Sequence, residues 1–218
     1  MTKTSEKLAL VTGASRGLGA ACAEYLAQNG YNVIAIARTT GALEELDDRI
    51  QAAGGSATLV PVDLTNDDAM KQICRSIFDR WGKIDLMVHA AIHAAPLCPT
   101  AHMDAKDLQK SLTGNVTATA QLIANTEPLL KAAQGKAVFF NDRVKSERYH
   151  ATYGLTKAAQ MRLARSWQDE QKATQVEVHI LDPRPMPTAT RARFYPGEDR
   201  NKLTPTKVEA ERLLSGLI

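Results

Sequence analysis

The chain has 218 residues, 44% of them hydrophobic, with 27 basic and 24 acidic residues and a formal charge of +3. That length supports a single domain, 1–218, with a full core, and so even a charge balance excludes a polybasic surface built for nucleic acid or membrane. Cys22, Cys74 and Cys98 are odd in number and widely spaced, which predicts reduced thiols in a cytoplasmic protein, and neither a signal peptide nor a run of about eighteen apolar residues is expected from the pattern.

Leu8 to Gly19, LALVTGASRGLG, predicts a buried strand, a tight turn and a helix from Ala20. Gly13, Gly17 and Gly19 let the backbone pass close to a ligand. The helix that opens there offers free N–H groups and a positive dipole end, which suit a pyrophosphate. Asn32 to Ala37 is a continuous apolar run, as in a strand buried on both faces, and Arg38 ends it. Leu43, Leu46 and Ile50 follow a helical period that Gly54-Gly55 stops. Thr58 to Val62 predicts a third strand leading to Asp63-Leu64. Helix-start residues at Thr65 to Asp68 precede a stripe of Met70, Ile73, Ile77 and Trp81. Ile84 to Val88 predicts a fourth strand, followed by His89.

This alternation implies an α/β fold: a Rossmann-like, doubly wound parallel sheet with helices on both faces. Ligands in such sheets lie outside the carboxyl ends of the strands. Gly13, Arg38, Asp63 and His89 are therefore expected to share one crevice. An acidic residue at the end of the second strand would hold the ribose hydroxyls of NAD; here Ala37 and Arg38 stand there, with Arg16 in the glycine loop. Two guanidinium groups suit the 2′-phosphate of NADP better than NAD, the alternative being two solvated arginines.

In the second half, Asp104 to about Leu130 predicts one long helix with Asn115 in its middle, where asparagine bends the helix or bonds elsewhere. Ala137 to Phe140 predicts a fifth strand, Tyr153 to Gln171 a helix, and Val176 to Ile180 a sixth strand ending at Asp182-Pro183-Arg184-Pro185. A loop rich in Pro and Arg spans Met186 to Pro205. Its Arg191-Ala192-Arg193 run reads as a solvated basic loop, or else as a contact for an acidic substrate. The last helix starts at Thr206, whose hydroxyl forms a capping box with Glu209, and runs to the C-terminus. His89 and His93 lack a third ligand, so no metal site is expected. Tyr153 and Lys157, four apart, share one helix face. An ammonium beside the phenol would lower its pKa and make it a usable acid or base.

On the glycine motif TGASRGLG, Asp63-Leu64, Asn115 in GNV, YGLTK and the order of the strands, the sequence resembles the short-chain dehydrogenase/reductases from Leu8 onward. The resemblance implies pro-S hydride transfer between NADP(H) and a small-molecule carbonyl or alcohol. It implies Tyr153 as general acid/base, Lys157 binding the nicotinamide ribose and tuning Tyr153, and Asn115 holding a water of the proton relay. Gly13, Ser15, Arg16, Gly17, Leu18 and Gly19 would line the phosphates, Asp63 and Leu64 the adenine, and Ala90 and Ala91 would complete the cofactor site beside Arg38, Tyr153 and Lys157. Relatives pair through the helices at 104–130 and 153–171, which implies a homodimer, with a tetramer as the lesser alternative.

The departures fall at one end of the site. Asn-Asn-Ala-Gly of the family is His89-Ala90-Ala91-Ile92 here, and its Pro-Gly is Pro183-Arg184. Counting back from Tyr153 puts the family's serine at Phe140, or at Asp142 if the loop is shortened; Ser146 is too close to Tyr153 to replace it. The seventh strand is expected to be missing. The adenosine half of the site is retained and the nicotinamide half altered, which leaves a second reading open: a non-catalytic or weakly active nucleotide-binding protein with a regulatory or structural role.

Overall fold

The computed structural model describes residues 6–142 and 148–218. Six parallel strands form one sheet in the order β3-β2-β1-β4-β5-β6: β1 Lys7–Thr12, β2 Tyr31–Ala37, β3 Ser56–Pro61, β4 Leu86–His89, β5 Lys136–Phe140 and β6 Glu177–Leu181. The connecting helices are α1 Gly17–Gln28, α2 Thr40–Ala52, α3 Asp67–Trp81, α4 Ala105–Ser111, α5 Ala118–Ala133, α6 Ala151–Gln171, α7 Ala189–Phe194 and α8 Thr206–Leu214. The strand order reverses between β1 and β4, and this is where a doubly wound sheet opens a crevice. No described helix is long and apolar enough to cross a membrane.

Both faces of the sheet are covered, as the apolar strands require. Ala9, Val11, Val33 and Ala35 pack on one side with α1, α2 and the Ala210–Leu214 end of α8. Leu8, Leu10, Ile34 and Ile36 pack on the other with Met70, Cys74 and Ile77 of α3, Leu122 and Leu130 of α5 and Trp167 of α6. Alternate residues of each strand thus enter opposite cores. The small residues on the first side, among them Ala20, Ala23 and Ala27 of α1, let that helix lie close to the sheet. Its buried Glu24 is joined by Arg49 of α2 at 2.6 Å and Lys207 of α8 at 2.7 Å.

Three expectations are corrected. The helix expected over 104–130 is broken: a π-helical turn, Leu112–Thr117, separates α4 from α5, and Asn115 sits inside it. The 186–205 segment contains α7, started by Thr188, whose hydroxyl accepts the Arg191 N–H at 3.2 Å. Thr206 and Glu209 form no capping box: Pro205 precedes the first turn of α8 with no side-chain cap. Fully buried Glu209 instead accepts the Arg184 N–H at 2.7 Å and binds the Arg212 guanidinium. A buried carboxylate already engaged by a guanidinium and a distant amide is not available to its own helix end. This helix also stops at Leu214, before the C-terminus. All three cysteines are free, Cys22 and Cys74 buried.

Candidate active site

The carboxyl ends of the strands open into a cavity of about 960 Å³. Gly13, Arg38, Asp63 and His89 line it together. The loop after β1 needs its glycines for two reasons. Gly13 has φ +69°, and a Cβ there would stand 2.7 Å from the Ala91 nitrogen. A Cβ on Gly19 would collide with the Gly13 carbonyl oxygen. The loop is thereby laid against Ala90 and Ala91, and the Ala14 N–H ties it to the Ile36 carbonyl at 3.2 Å. No side chain caps the start of α1 and its first turn holds no acid, and Ser15, Arg16, Gly17 and Leu18 at that start line the cavity. Such a helix start suits an anion.

At the same end Leu64 and Thr65 line the cavity with Arg38 and Asp63. The Arg38 guanidinium lies 3.7 Å from the Asp63 carboxylate, both well exposed. Burial works to raise the Asp63 pKa, but hydrogen bonds from Thr65 and the Arg38 charge outweigh it and hold it below the usual carboxylate range. A long, exposed ion pair is weak, so Arg38 can turn to a phosphate.

The floor is a buried polar network. Nδ1 of His89 meets the Thr12 hydroxyl at 2.7 Å, and Nε2 meets Thr119 Oγ1 at 3.0 Å and the Gln160 amide nitrogen at 3.2 Å. Oε1 of Gln160 accepts from Lys157 Nζ at 2.7 Å. Burial, with the Lys157 charge adding to it, pushes the His89 pKa down to about 3, so the ring is neutral. Burial pushes Lys157 down to about 8, opposed by Asp142. Both ring nitrogens of His89 are thus engaged within the protein.

Tyr153 is almost fully buried on the first turn of α6, and its hydroxyl donates to Asp142 Oδ2 at 2.7 Å. This contact puts Asp142, not Phe140, beside the phenol; Phe140 is buried at the end of β5. Ser146 lies outside the described residues. Lys157 lines the same cavity, yet the tyrosine pKa is raised rather than lowered: burial is the largest cause, followed by the Asp142 charge and its hydrogen bond. The expectation of an activated phenol is thus corrected for this arrangement of groups.

Asn115 does not line the cavity. Its Oδ1 accepts the His93 N–H at 2.6 Å, and its amide donates to the His93 carbonyl at 2.9 Å and to Thr156 Oγ1 at 3.0 Å. The π turn aims the side chain at the segment after β4 and pins it there, where a water-holding role had been expected. The other site residues read from the sequence, from Gly13 to Lys157, all line the cavity.

The roof was not legible. Met186, Thr188, Phe194 and Tyr195 line the cavity, and Phe194 packs on Tyr153 with ring centroids 4.8 Å apart. Arg191 pairs with Glu198 at 2.6 and 2.7 Å and lies 3.9 Å over the Tyr195 ring, while Arg193 donates to the Ala94 carbonyl at 2.5 Å. Arg191 is thus tied into the protein, while Ala192 and Arg193 stay exposed, as a solvated basic loop predicts. Thr188 before ATRARF is a helix-start signal that could have revealed α7, and Gln160, three residues from Lys157, could have been paired with it by helical spacing.

A model of the short chain dehydrogenase family matches residues 7–199. An uncharacterized oxidoreductase of Staphylococcus epidermidis is 28% identical over 186 residues, covering 84% of this chain and 79% of that one. Among solved structures, an oxidoreductase of E. coli, yciK, superposes with a TM-score of 0.87 at 26% identity, over 93% of this chain and 85% of that one. A metagenomic short-chain oxidoreductase solved in complex with NADP superposes with a TM-score of 0.78 at 28% identity, over 82% of each chain.

Proposed function

This chain belongs to the short-chain dehydrogenase family, with the fold of an NAD(P)-dependent oxidoreductase, and from that premise we propose that it is an NADP-dependent reductase of a small-molecule substrate. The observation that carries this reading is the continuity of one cavity. It runs from the glycine loop and Arg38, past Ala90 and Ala91, to Tyr153 and Lys157. The residues present fit the cofactor: an uncapped helix start and a cradle that a Cβ would fill for the pyrophosphate, Arg16 and Arg38 for a 2′-phosphate, and Lys157 for the nicotinamide ribose. When bound, the reduced nicotinamide supplies hydride. The chain's own part is to hold the phosphates, to exclude water beneath Phe194, and to keep the Tyr153 proton at the phenol oxygen. Titration with NADPH and NADH followed by fluorescence tests this; binding of neither would end it.

The Tyr153–Asp142 bond favours one other reading, a nucleotide-binding protein with little turnover, because a phenol held by a carboxylate is a poor acid. Turnover against a panel of aldehydes, ketones and imines separates the two. We also infer a homodimer formed through the outer faces of α5 and α6, where Leu155 is 50% exposed. A monomer mass by light scattering at micromolar concentration would count against it.

A further inference from the structure

Resting on the reading of this cavity as a nicotinamide-dependent active site, we propose that its reacting end recognises a nitrogen cation. The substrate class is then an imine taken as its iminium ion, leaving as the protonated amine, rather than a ketone leaving as an alcohol.

Three observations meet at this end of the cavity. The first is an acceptor with spare capacity. Among the described residues Asp142 bonds Tyr153 through Oδ2; it is exposed and lines the cavity, and we assign its Oδ1 to the ligand. A carboxylate has no proton to donate. A ketone oxygen, also an acceptor, meets there a carboxylate and a phenol whose proton is already engaged. An iminium N–H is a charged donor and forms the short, charge-assisted bond that Oδ1 can take.

The second observation is that Arg191 is already paired with an anion, while Lys157 donates to a neutral amide oxygen. Arg191 is bound through two nitrogens to Glu198 and stacked on Tyr195, and Lys157 Nζ is held by Gln160. The third is the wall. Tyr153, Phe194 and Tyr195 line the same cavity as Asp142, and ring faces attract a partly desolvated cation.

The charge change of the reaction points the same way. Reduction of a ketone ends by taking the Tyr153 proton, which would leave a phenolate 2.7 Å from a carboxylate oxygen. Two anions at that distance repel strongly. Reduction of an iminium ion needs no such proton. Its carbon gains a hydrogen with two electrons from a reduced nicotinamide, the C=N π pair becomes the nitrogen lone pair, and the amine then takes one proton from solvent. Iminium, reduced nicotinamide and a proton thus give ammonium and oxidised nicotinamide, and Tyr153 and Asp142 serve to orient the nitrogen.

The test is binding of two molecules of one shape, cyclohexylamine and cyclohexanol, to the NADP⁺ complex near neutral pH by calorimetry. The amine should bind at least about tenfold tighter, as one charge-assisted hydrogen bond warrants. Asp142→Asn should erase the preference. In turnover with NADPH, 2-methyl-1-pyrroline should be reduced faster than cyclohexanone. Equal affinity for the pair in the parent protein, or faster reduction of the ketone, would overturn the inference without recourse to any variant. Failure of the parent to bind NADP(H) at all would instead remove the nicotinamide reading, and this inference with it.

Discussion

The hydroxyl of Tyr153 donates to the carboxylate of Asp142, eleven residues earlier in the chain, across 2.7 Å. The bond joins the first turn of α6 to the second residue beyond β5. We read Asp142 as standing where the family has its serine, with the loop shortened; on that reading an acceptor takes the place of a neutral donor at this corner of the site.

The reversal has a direct test. A hydroxyl at position 142 would restore a donor to a developing oxyanion, and loss of one such donor typically costs about 10²–10³ in rate. Asp142→Ser should therefore raise ketone reduction by about tenfold or more, the remainder being withheld because Ile92 and Arg184 still line the cavity. Steady-state rates at saturating NADPH measure it. A parent rate that falls on substitution would mean that the carboxylate takes part in ketone chemistry.

Cofactor choice should depend on Arg38. A charge-assisted contact to phosphate contributes about 1.5–3 kcal/mol. Arg38→Ala should weaken NADPH by about 10- to 100-fold and leave NADH almost unchanged. Equal losses for the two cofactors would show that the arginine supports the loop rather than reading the 2′-phosphate.

Gly13 should tolerate no side chain. Alanine there faces a positive φ and a backbone nitrogen 2.7 Å from its Cβ. A strained backbone position of this kind costs about 1–3 kcal/mol, and relief requires the loop to leave Ala90 and Ala91. Gly13→Ala should lower the melting temperature and abolish NADPH binding. Gly41, whose added Cβ would meet nothing within 4 Å, supplies the control.

Acid should destabilise the fold through His89. Its pKa is about 3 when folded, against about 6.5 for a free imidazole. Between these values the unfolded chain binds more protons, so stability rises with pH and is lost as pH falls below about 6.5. The slope from one such group is about 1.4 kcal/mol per pH unit. His89→Asn keeps a polar side chain at the floor and removes the titration. Urea midpoints between neutrality and mild acid should show a shallower decline in the variant than in the parent.

The features read correctly from sequence have local signatures. The glycine loop, the apolar runs of β1 and β2 and the stripe of α3 each declare themselves within a dozen or so residues, and alternation then dictates the parallel sheet. What escaped depends on groups far apart in the chain. His89 meets Gln160 across 71 positions, and Asn115 reaches Thr156 across 41; no periodicity announces either. The capping box at Thr206 failed for a related reason: the spacing was right, but Glu209 is consumed by the Arg184 amide, 25 positions away. The Tyr153–Lys157 pair was read as a shared helix face, and both do line the cavity, yet the Asp142 carboxylate and the depth of burial set the phenol's acidity.

The Glu209–Arg184 contact also bears on the order in which the protein is made. The glycine loop, Tyr153, Lys157 and Arg184 itself all leave the ribosome before α8 does. Until residue 209 has emerged and docked, the amide at the base of the roof segment lacks its buried acceptor, and Glu24 on α1 lacks Lys207. A nascent chain that has emerged only as far as 205 would carry every one of these cavity-lining residues and still hold nucleotide poorly. Nucleotide retention on stalled ribosomes should therefore switch on late, over the few residues that deliver α8.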